Sequence, residues 1–74
     1  MEKDFLINVA NVLEIDSDLS LSDVFRDYQE WDSLALLSLL SMIDDEYEVI
    51  ISEQKLNEMK TLNDILNFIN NETS

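Results

Sequence analysis

Residues 34–47 carry the feature that most constrains the fold, a run with the apolar spacing of an amphipathic α-helix. The run contains no Gly or Pro, and large apolar residues recur along it at helical intervals: Leu36, Leu40, Ile43 and Tyr47, flanked by Leu37 and Leu39. That spacing places these side chains on one face of a helix. The sequence therefore predicts a helix whose buried face centres on Leu40 and Ile43.

The two residues before this run, Asp32 and Ser33, predict where the helix begins. Both are favourable N-cap types, which places Ser33 in or beside the first turn. Backbone N–H groups there lack partners within the helix, so a phosphate attached to Ser33 would be stabilised. From residue type alone, an ordinary N-cap is the commoner explanation for such a serine.

The opposite side of the same helical wheel carries Leu34 and Met42, together with Ser38, Ser41 and Asp45. An outward apolar residue beside a serine at a helix start suggests a docking surface for another protein. Single apolar residues are nevertheless common on protein surfaces.

The rest of the chain predicts three further helices. The first covers residues 3–14, with an apolar face formed by Phe5, Leu6, Val9, Val12 and Leu13. A long loop over residues 15–31 follows; we expect Ser22 to cap a single turn in it and four apolar residues to anchor it, namely Leu19, Leu21, Val24 and Phe25.

Two helix-start signals lie beyond residue 50. Ser52 and Glu53 open a short third helix containing Leu56 and Met59, and Thr61 with Asp64 forms a capping box for the fourth. The inner face of the fourth helix holds Leu62, Ile65, Leu66 and Ile69, and a polar tail over residues 70–74 is expected to fray. The prediction is a single all-α domain over residues 1–74, a small four-helix bundle with three main helices, one short helix and a long first loop.

Composition excludes several classes of function. Seventeen acidic and four basic residues give a net charge of −13, which argues against binding to nucleic acid or to an anionic membrane and favours basic partners. No Cys is present to form a disulfide, and no membrane span or secretion signal is seen, so we expect a cytoplasmic monomer without membrane insertion.

The sequence gives little support for a metal site or a catalytic site. Residues 16–20 alternate carboxylates as a calcium loop does, but Leu21 and Asp27 stand where that loop needs Gly and Glu. We interpret the segment as a turn, with weak divalent-ion binding as the lesser alternative. The chain has no His and no Cys, and no basic residue near Ser33 in sequence, so Ser33 fits a modified residue better than a nucleophile.

The chain resembles the acyl carrier proteins over nearly its whole length. The resemblance rests on Asp32-Ser33-Leu34 opening a helix, the acidic run 44–49 ending it, Ile51 before a short acidic segment, and Thr61-Leu62 followed by Ile65, Leu66, Phe68 and Ile69. It implies that Ser33 carries 4′-phosphopantetheine, which a phosphopantetheinyl transferase attaches from coenzyme A using Mg²⁺. The acyl group would ride as a thioester on this arm, and Asp32 would help the transferase dock or hold the metal.

Departures from the family pattern bear on partner choice. Trp31 stands where a Gly is common, Ser38 where many members have an acidic residue, and Ser52 where many have Pro. We expect Leu34 and Met42 to fill an apolar pocket on acyl-loading and acyl-transfer enzymes, while Asp32, Asp45 and Glu48 attract their basic patches. Fatty-acid and specialised pathways both remain open, whereas the lack of a Gly-Gly-His-Ser type sequence argues against a peptidyl carrier.

Two other classes of function fit the sequence less well. A non-enzymatic acidic helical module, such as an inhibitor or a nucleic-acid mimic, would explain the charge but not the order of the motifs. A small enzyme would need a nucleophile and base pair that the sequence does not contain.

Overall fold

The computed structural model of the protein describes residues 2–73, which fold mainly into α-helices. The helices are α1 (Glu2–Leu13), α2 (Ser33–Tyr47), α3 (Glu53–Asn57) and α4 (Leu62–Thr73). One turn of 3₁₀-helix, Phe25–Asp27, lies in the loop between α1 and α2. Among the described residues no strand forms. The predicted all-α fold of three main helices, one short helix and a long first loop is confirmed.

A single apolar core joins all four helices and the first loop. The side chains with no exposed surface are Phe5 and Val9 of α1, Phe25 of the loop, Leu39 and Ile43 of α2, Leu56 of α3, and Leu62, Ile65 and Ile69 of α4. Because every element contributes to it, the core fixes both ends of α2, including the end that carries Ser33.

The buried face of α2 is rotated from the one that the sequence predicted. Ala35, Leu39, Met42 and Ile43 are buried, whereas Leu40 is only partly buried. The centring on Leu40 was therefore wrong, while Ile43 is confirmed as core. Residues 34–40 are apolar on nearly all sides apart from Ser38, so spacing alone could not choose between two overlapping helical stripes.

The first loop is held by backbone pairing with the start of α4. The Leu62 N–H donates to the carbonyl of Asp23 (3.1 Å), and the Asn63 N–H donates to that of Leu21 (2.9 Å). This pairing includes a bridge at Val24, whose side chain is exposed, so Val24 does not anchor the core as predicted. It also keeps this segment extended, so the helical turn begins at Phe25 without a cap from Ser22.

Arg26 connects the first loop to the end of α3. Its guanidinium donates to the backbone carbonyls of Leu56 (2.8 Å) and Met59, and it lies 4.7 Å from the centre of the Phe25 ring. Leu56 lies in the last turn of α3 and its carbonyl also accepts the Met59 N–H at 3.0 Å, whereas Met59 lies just beyond the helix. Arg26 therefore closes α3 at its C-terminal end and fixes the loop at the same time.

The predicted helix starts are confirmed, and two helix ends adopt an unusual backbone. Thr61 and Asp64 form the reciprocal capping box, and the Ser52 hydroxyl accepts the N–H of Lys55 at the start of α3. Glu14 and Glu48, which follow α1 and α2, have left-handed φ angles of 59° and 56°. In a chain without glycine these strained positions fall to glutamates.

The chain end differs in part from expectation. α4 continues through Thr73, whose hydroxyl donates to the Ile69 carbonyl at 2.9 Å, and Ser74 lies outside the described residues. Residues 70–73 are thus helical, and fraying of that turn stays a prediction.

Candidate functional site

Ser33 is the first residue of α2, and its side chain is exposed. Within residues 2–73 its hydroxyl makes no hydrogen bond. Other serines differ: the Ser52 hydroxyl caps α3, and the hydroxyls of Ser20 and Ser22 bond to each other at 3.0 Å. Ser33 therefore offers an accessible oxygen that the fold does not itself use.

Asp32 gives Ser33 its place by capping the helix. Its backbone is extended, its carboxylate oxygen Oδ1 accepts the Ala35 N–H at 2.7 Å, and its carbonyl accepts the Leu36 N–H at 3.0 Å. The N–H groups of Ser33 and Leu34 have no acceptor in the described part of the chain. A phosphate esterified to the Ser33 hydroxyl would find these donors and the positive end of a 15-residue helix beside it.

The loop that leads into the site is firmly braced. The Asp23 carboxylate accepts both the Tyr28 hydroxyl (2.8 Å) and the Ser20 N–H (2.9 Å). Burial raises the pKa of the Tyr28 hydroxyl well above its ordinary value, and the bond to Asp23 raises that pKa further. The Trp31 N–H in turn donates to the Tyr28 carbonyl at 3.0 Å. Each hydrogen bond restrains the backbone just before Asp32.

Trp31 occupies its position without backbone strain. Positive φ angles among residues 2–73 are confined to Glu14 and Glu48, so the conformation at Trp31 does not require the freedom of a glycine. Its ring packs edge-on against the buried Phe25 ring, with 5.1 Å between centres. Trp31 thus adds an aromatic wall beside the site.

Two open cavities flank the start of α2. One, of about 360 Å³, lies between the end of α1 and the start of α2 and is bordered by Leu34 and by the carboxylates of Glu14, Glu30 and Asp32. The other, of similar volume, reaches across to the start of α3. Its lining is Trp31, Asp32, Ser33, Leu36, Leu37 and Glu53. Leu34 and Ser33 therefore border different cavities, and Asp32 borders both.

The predicted docking residues do not all lie together. Leu34 is 72% exposed next to Ser33, as expected for an outward residue. Asp45 and Glu48 are exposed but lie in the last turn of α2 and just after it, about 18 Å or more along the axis from Ser33. Asp32, Ser33 and Leu34 thus form one group, and the two acidic residues form another.

Met42 does not face outward as predicted. Its side chain is only 9% exposed and belongs to the core, because α1 packs against that side of α2. Met42 reaches the surface only at a shallow groove that it shares with Val12, Ser41 and Asp45. It cannot fill a partner's pocket without leaving the core, so its assignment as a partner-binding residue is corrected.

Three residues near Ser33 were missed as site residues. Leu37 was expected beside the core but is 59% exposed, and it lines the α2–α3 cavity with Trp31 and Glu53. Leu37 lies one helical turn after Ser33, a spacing that could have indicated it. Nothing in the sequence could have placed Glu53, which follows a loop of five residues, next to Ser33.

The described surroundings of Ser33 hold carboxylates but no cationic side chain. No basic side chain borders either cavity beside it, and residues 2–73 hold no group of three or more acidic side chains placed to bind a metal ion. Across the same residues, no helix has the length and apolar character needed to cross a membrane. The site offers an exposed hydroxyl and two helix N–H donors that have no acceptor in the described part of the chain.

Comparison with known proteins agrees with this geometry. Residues 6–69 match the protein family described as the phosphopantetheine attachment site. The matched segment includes Ser33, both flanking cavities and every helix at least in part. No curated protein and no solved structure gives a significant match.

Proposed function

This chain belongs to the phosphopantetheine attachment site family, and on that premise we propose that it is an acyl carrier protein modified at Ser33. The covalent cofactor of the family is 4′-phosphopantetheine. The acyl groups would be held as thioesters on the thiol of this arm and presented to enzymes of fatty-acid or specialised-metabolite synthesis. The chain itself would not be an enzyme, and it would act as a monomer in the cytoplasm.

One observation carries the choice of Ser33. It is an exposed serine at the start of a long helix, its hydroxyl makes no hydrogen bond in the described chain, and the neighbouring N–H groups of Ser33 and Leu34 lack acceptors. A phosphodiester there would gain hydrogen bonds without breaking any that the fold needs. The absence of thiols from the sequence also fits, since the arm supplies the thiol.

The attachment step requires a separate transferase. The Ser33 oxygen would form a bond to phosphorus while the phosphoanhydride bond of coenzyme A breaks, and the adenine nucleotide would leave. The hydroxyl proton would go to a general base, which we assign to the transferase. Asp32 would have a second role here, since its Oδ2 atom makes no hydrogen bond within residues 2–73 and remains open to the transferase or its Mg²⁺.

Intact mass spectrometry tests this proposal directly. After incubation with a phosphopantetheinyl transferase and coenzyme A, the wild-type chain should gain the mass of one arm, and Ser33→Ala should gain none. Ser41→Ala is the matched control, because Ser41 is an exposed serine of the same helix, and it should be modified like the wild type. An unmodified wild-type chain beside a modified control carrier would refute the proposal.

The two roles of Asp32 are separable by a pair of variants. Asp32→Asn keeps an N-cap oxygen for the Ala35 N–H but loses the charge, whereas Asp32→Ala loses both. If Asp32 also serves the transferase, Asn should slow modification while leaving the melting temperature nearly unchanged, and Ala should lower both. Equal modification rates for wild type and Asp32→Asn would restrict Asp32 to capping.

A further inference from the structure

Arg26 makes unusual contacts for a cation in so acidic a chain. The sequence has seventeen acidic and four basic residues, yet within residues 2–73 the Arg26 guanidinium forms no ion pair. Its N–H groups donate instead to the backbone carbonyls of Leu56 (2.8 Å) and Met59. The Met59 carbonyl has no other donor in the described part of the chain. Hydrogen-bond geometry, rather than attraction to a carboxylate, therefore fixes the position of Arg26.

The helix that Arg26 contacts is too short to be stable by itself. α3 has five residues, of which only Leu56 is buried. Isolated helices of that length are unstable in water, so α3 depends on its tertiary contacts. Its first residue, Glu53, lines the same cavity as Ser33. By holding the other end of α3, Arg26 helps to determine what lies beside Ser33.

A second set of contacts connects Arg26 to Ser33 through aromatic rings. The guanidinium lies 4.7 Å from the centre of the Phe25 ring, which is buried. The Phe25 ring in turn packs against the Trp31 ring, with 5.1 Å between centres. Trp31 directly precedes Asp32, whose carboxylate caps α2. Arg26 therefore supports both segments that border Ser33, the end of the first loop and α3.

We propose, building on the proposed function, that Arg26 is a positioning residue for the modification of Ser33. By joining the first loop to α3, it keeps the surface around Ser33 in one arrangement before the transferase binds. A surface that is already ordered loses less conformational entropy on binding, so Arg26 lowers the KM of the transferase for this chain. The kcat does not depend on Arg26, because the Asp32 cap that places Ser33 is local to the start of α2.

The sign of the effect separates this role from simple electrostatics. A chain with a net charge of −13 attracts basic partners. Replacing Arg26 with a neutral residue makes the chain more acidic, so electrostatics alone would strengthen that attraction and lower the KM. The positioning role gives the opposite result, a higher KM for Arg26→Gln.

Modification kinetics of the whole 74-residue chain test the proposal. With saturating coenzyme A and the product measured by intact mass, Arg26→Gln should raise the KM for the chain about five- to tenfold and leave kcat within about twofold of wild type. Lys55→Gln is the matched control for charge, because Lys55 is an exposed cation of α3. Ile69→Val, which truncates a buried residue of α4, is the control for lost stability. Neither control should raise the KM.

Amide hydrogen exchange measures the same link without the transferase. The N–H groups of Met59 and Trp31 each donate to a backbone carbonyl at 3.0 Å, one just after α3 and the other just before Asp32. In unmodified Arg26→Gln both amides should exchange about tenfold faster than in wild type. The Ala35 N–H, which donates to the capping carboxylate, should keep its rate. A general loss of stability would instead accelerate all three.

The outcomes separate this inference from the proposed function. A wild-type chain that gains no arm by mass overturns the proposed function and the inference with it. A modified wild-type chain, together with an unchanged KM for Arg26→Gln, overturns the inference alone. The inference also fails if either control raises the KM as much, or if the Ala35 amide accelerates with the other two. Should Arg26→Gln not fold, Arg26→Lys replaces it with the same expected rise in KM, since an ammonium lacks the planar fork that reaches two carbonyls.

Discussion

Replacing Leu39 with Ala should destabilise the protein more than any other single truncation in the first half of α2. Leu39 has no exposed surface and lies where α2 meets the shared core. Removing three carbon-sized groups at about 0.8 kcal/mol each gives roughly 2.4 kcal/mol. The cavity left behind raises the expected loss to about 3–4 kcal/mol, within the range measured for buried leucines.

That loss is large for a chain of 74 residues. At about 0.05–0.15 kcal/mol per residue, the whole domain has a free energy of unfolding of roughly 4–11 kcal/mol. Urea denaturation followed by circular dichroism would measure the change. With a slope of about 1 kcal/mol per molar urea, the midpoint should fall by about 3 M, or the variant should be unfolded without urea.

Leu37→Ala is the matched control, because it makes the same chemical change on the same helix at an exposed position. It should change the free energy of unfolding by less than about 0.5 kcal/mol. Leu40→Ala should fall between the two variants, since Leu40 is only partly buried. If Leu37→Ala or Leu40→Ala proved as damaging as Leu39→Ala, the assignment of the buried face of α2 would be wrong.

Further predictions concern strain, charge and pH. Glu48→Gly should stabilise the fold by about 0.5–1 kcal/mol by relieving the left-handed backbone, whereas Glu48→Gln should not, as thermal melts would show. The melting temperature should rise between low and moderate salt, because the net charge is −13; a fall would show that the charges are already compensated. The backbone N–H groups of Lys60 and Thr61 hold the pKa of Asp64 below its usual 3.8. The ionised Asp64 side chain therefore contributes to the free energy of unfolding above that pH, and this contribution is lost as the pH falls below it. The gap in melting temperature between wild type and Asp64→Asn should therefore narrow in acid. The pKa of the Tyr28 hydroxyl is raised, so the protonated hydroxyl contributes to the free energy of unfolding below about pH 10, and this contribution is lost as the pH rises above it. Tyr28→Phe should therefore lower the stability less at alkaline pH than at neutral pH.

Local signals in the sequence predicted the helix starts well. Asp32, Ser52 and Thr61 all cap helices as their residue types and spacing indicated, because capping depends on side chains within a few residues of each other. The placement of Ser33 at the start of α2 follows from the same local chemistry. Such interactions are visible before any tertiary packing is known.

The sequence predictions that proved wrong depend on contacts between segments that are distant along the chain. Met42 is buried and Leu40 only partly buried, the reverse of the expectation, because packing against α1 helps to decide which side of an almost wholly apolar helix is covered. Val24 lost its expected role as an anchor because it pairs with Thr61, 37 residues later. The α2–α3 cavity was missed for the same reason, since Glu53 reaches it only through the path of a loop.

The pairing between the first loop and the start of α4 has a consequence for the order of events during synthesis. The carbonyls of Leu21 and Asp23 receive their hydrogen bonds from Asn63 and Leu62, about forty residues later in the chain. Such distant contacts form late, because a long segment must first be closed. A nascent chain that has not yet reached Thr61 lacks the partners that hold the loop before Ser33. We therefore expect the transferase to act only after α4 has been synthesised and has docked, because Ser33 is presented in its final form only then.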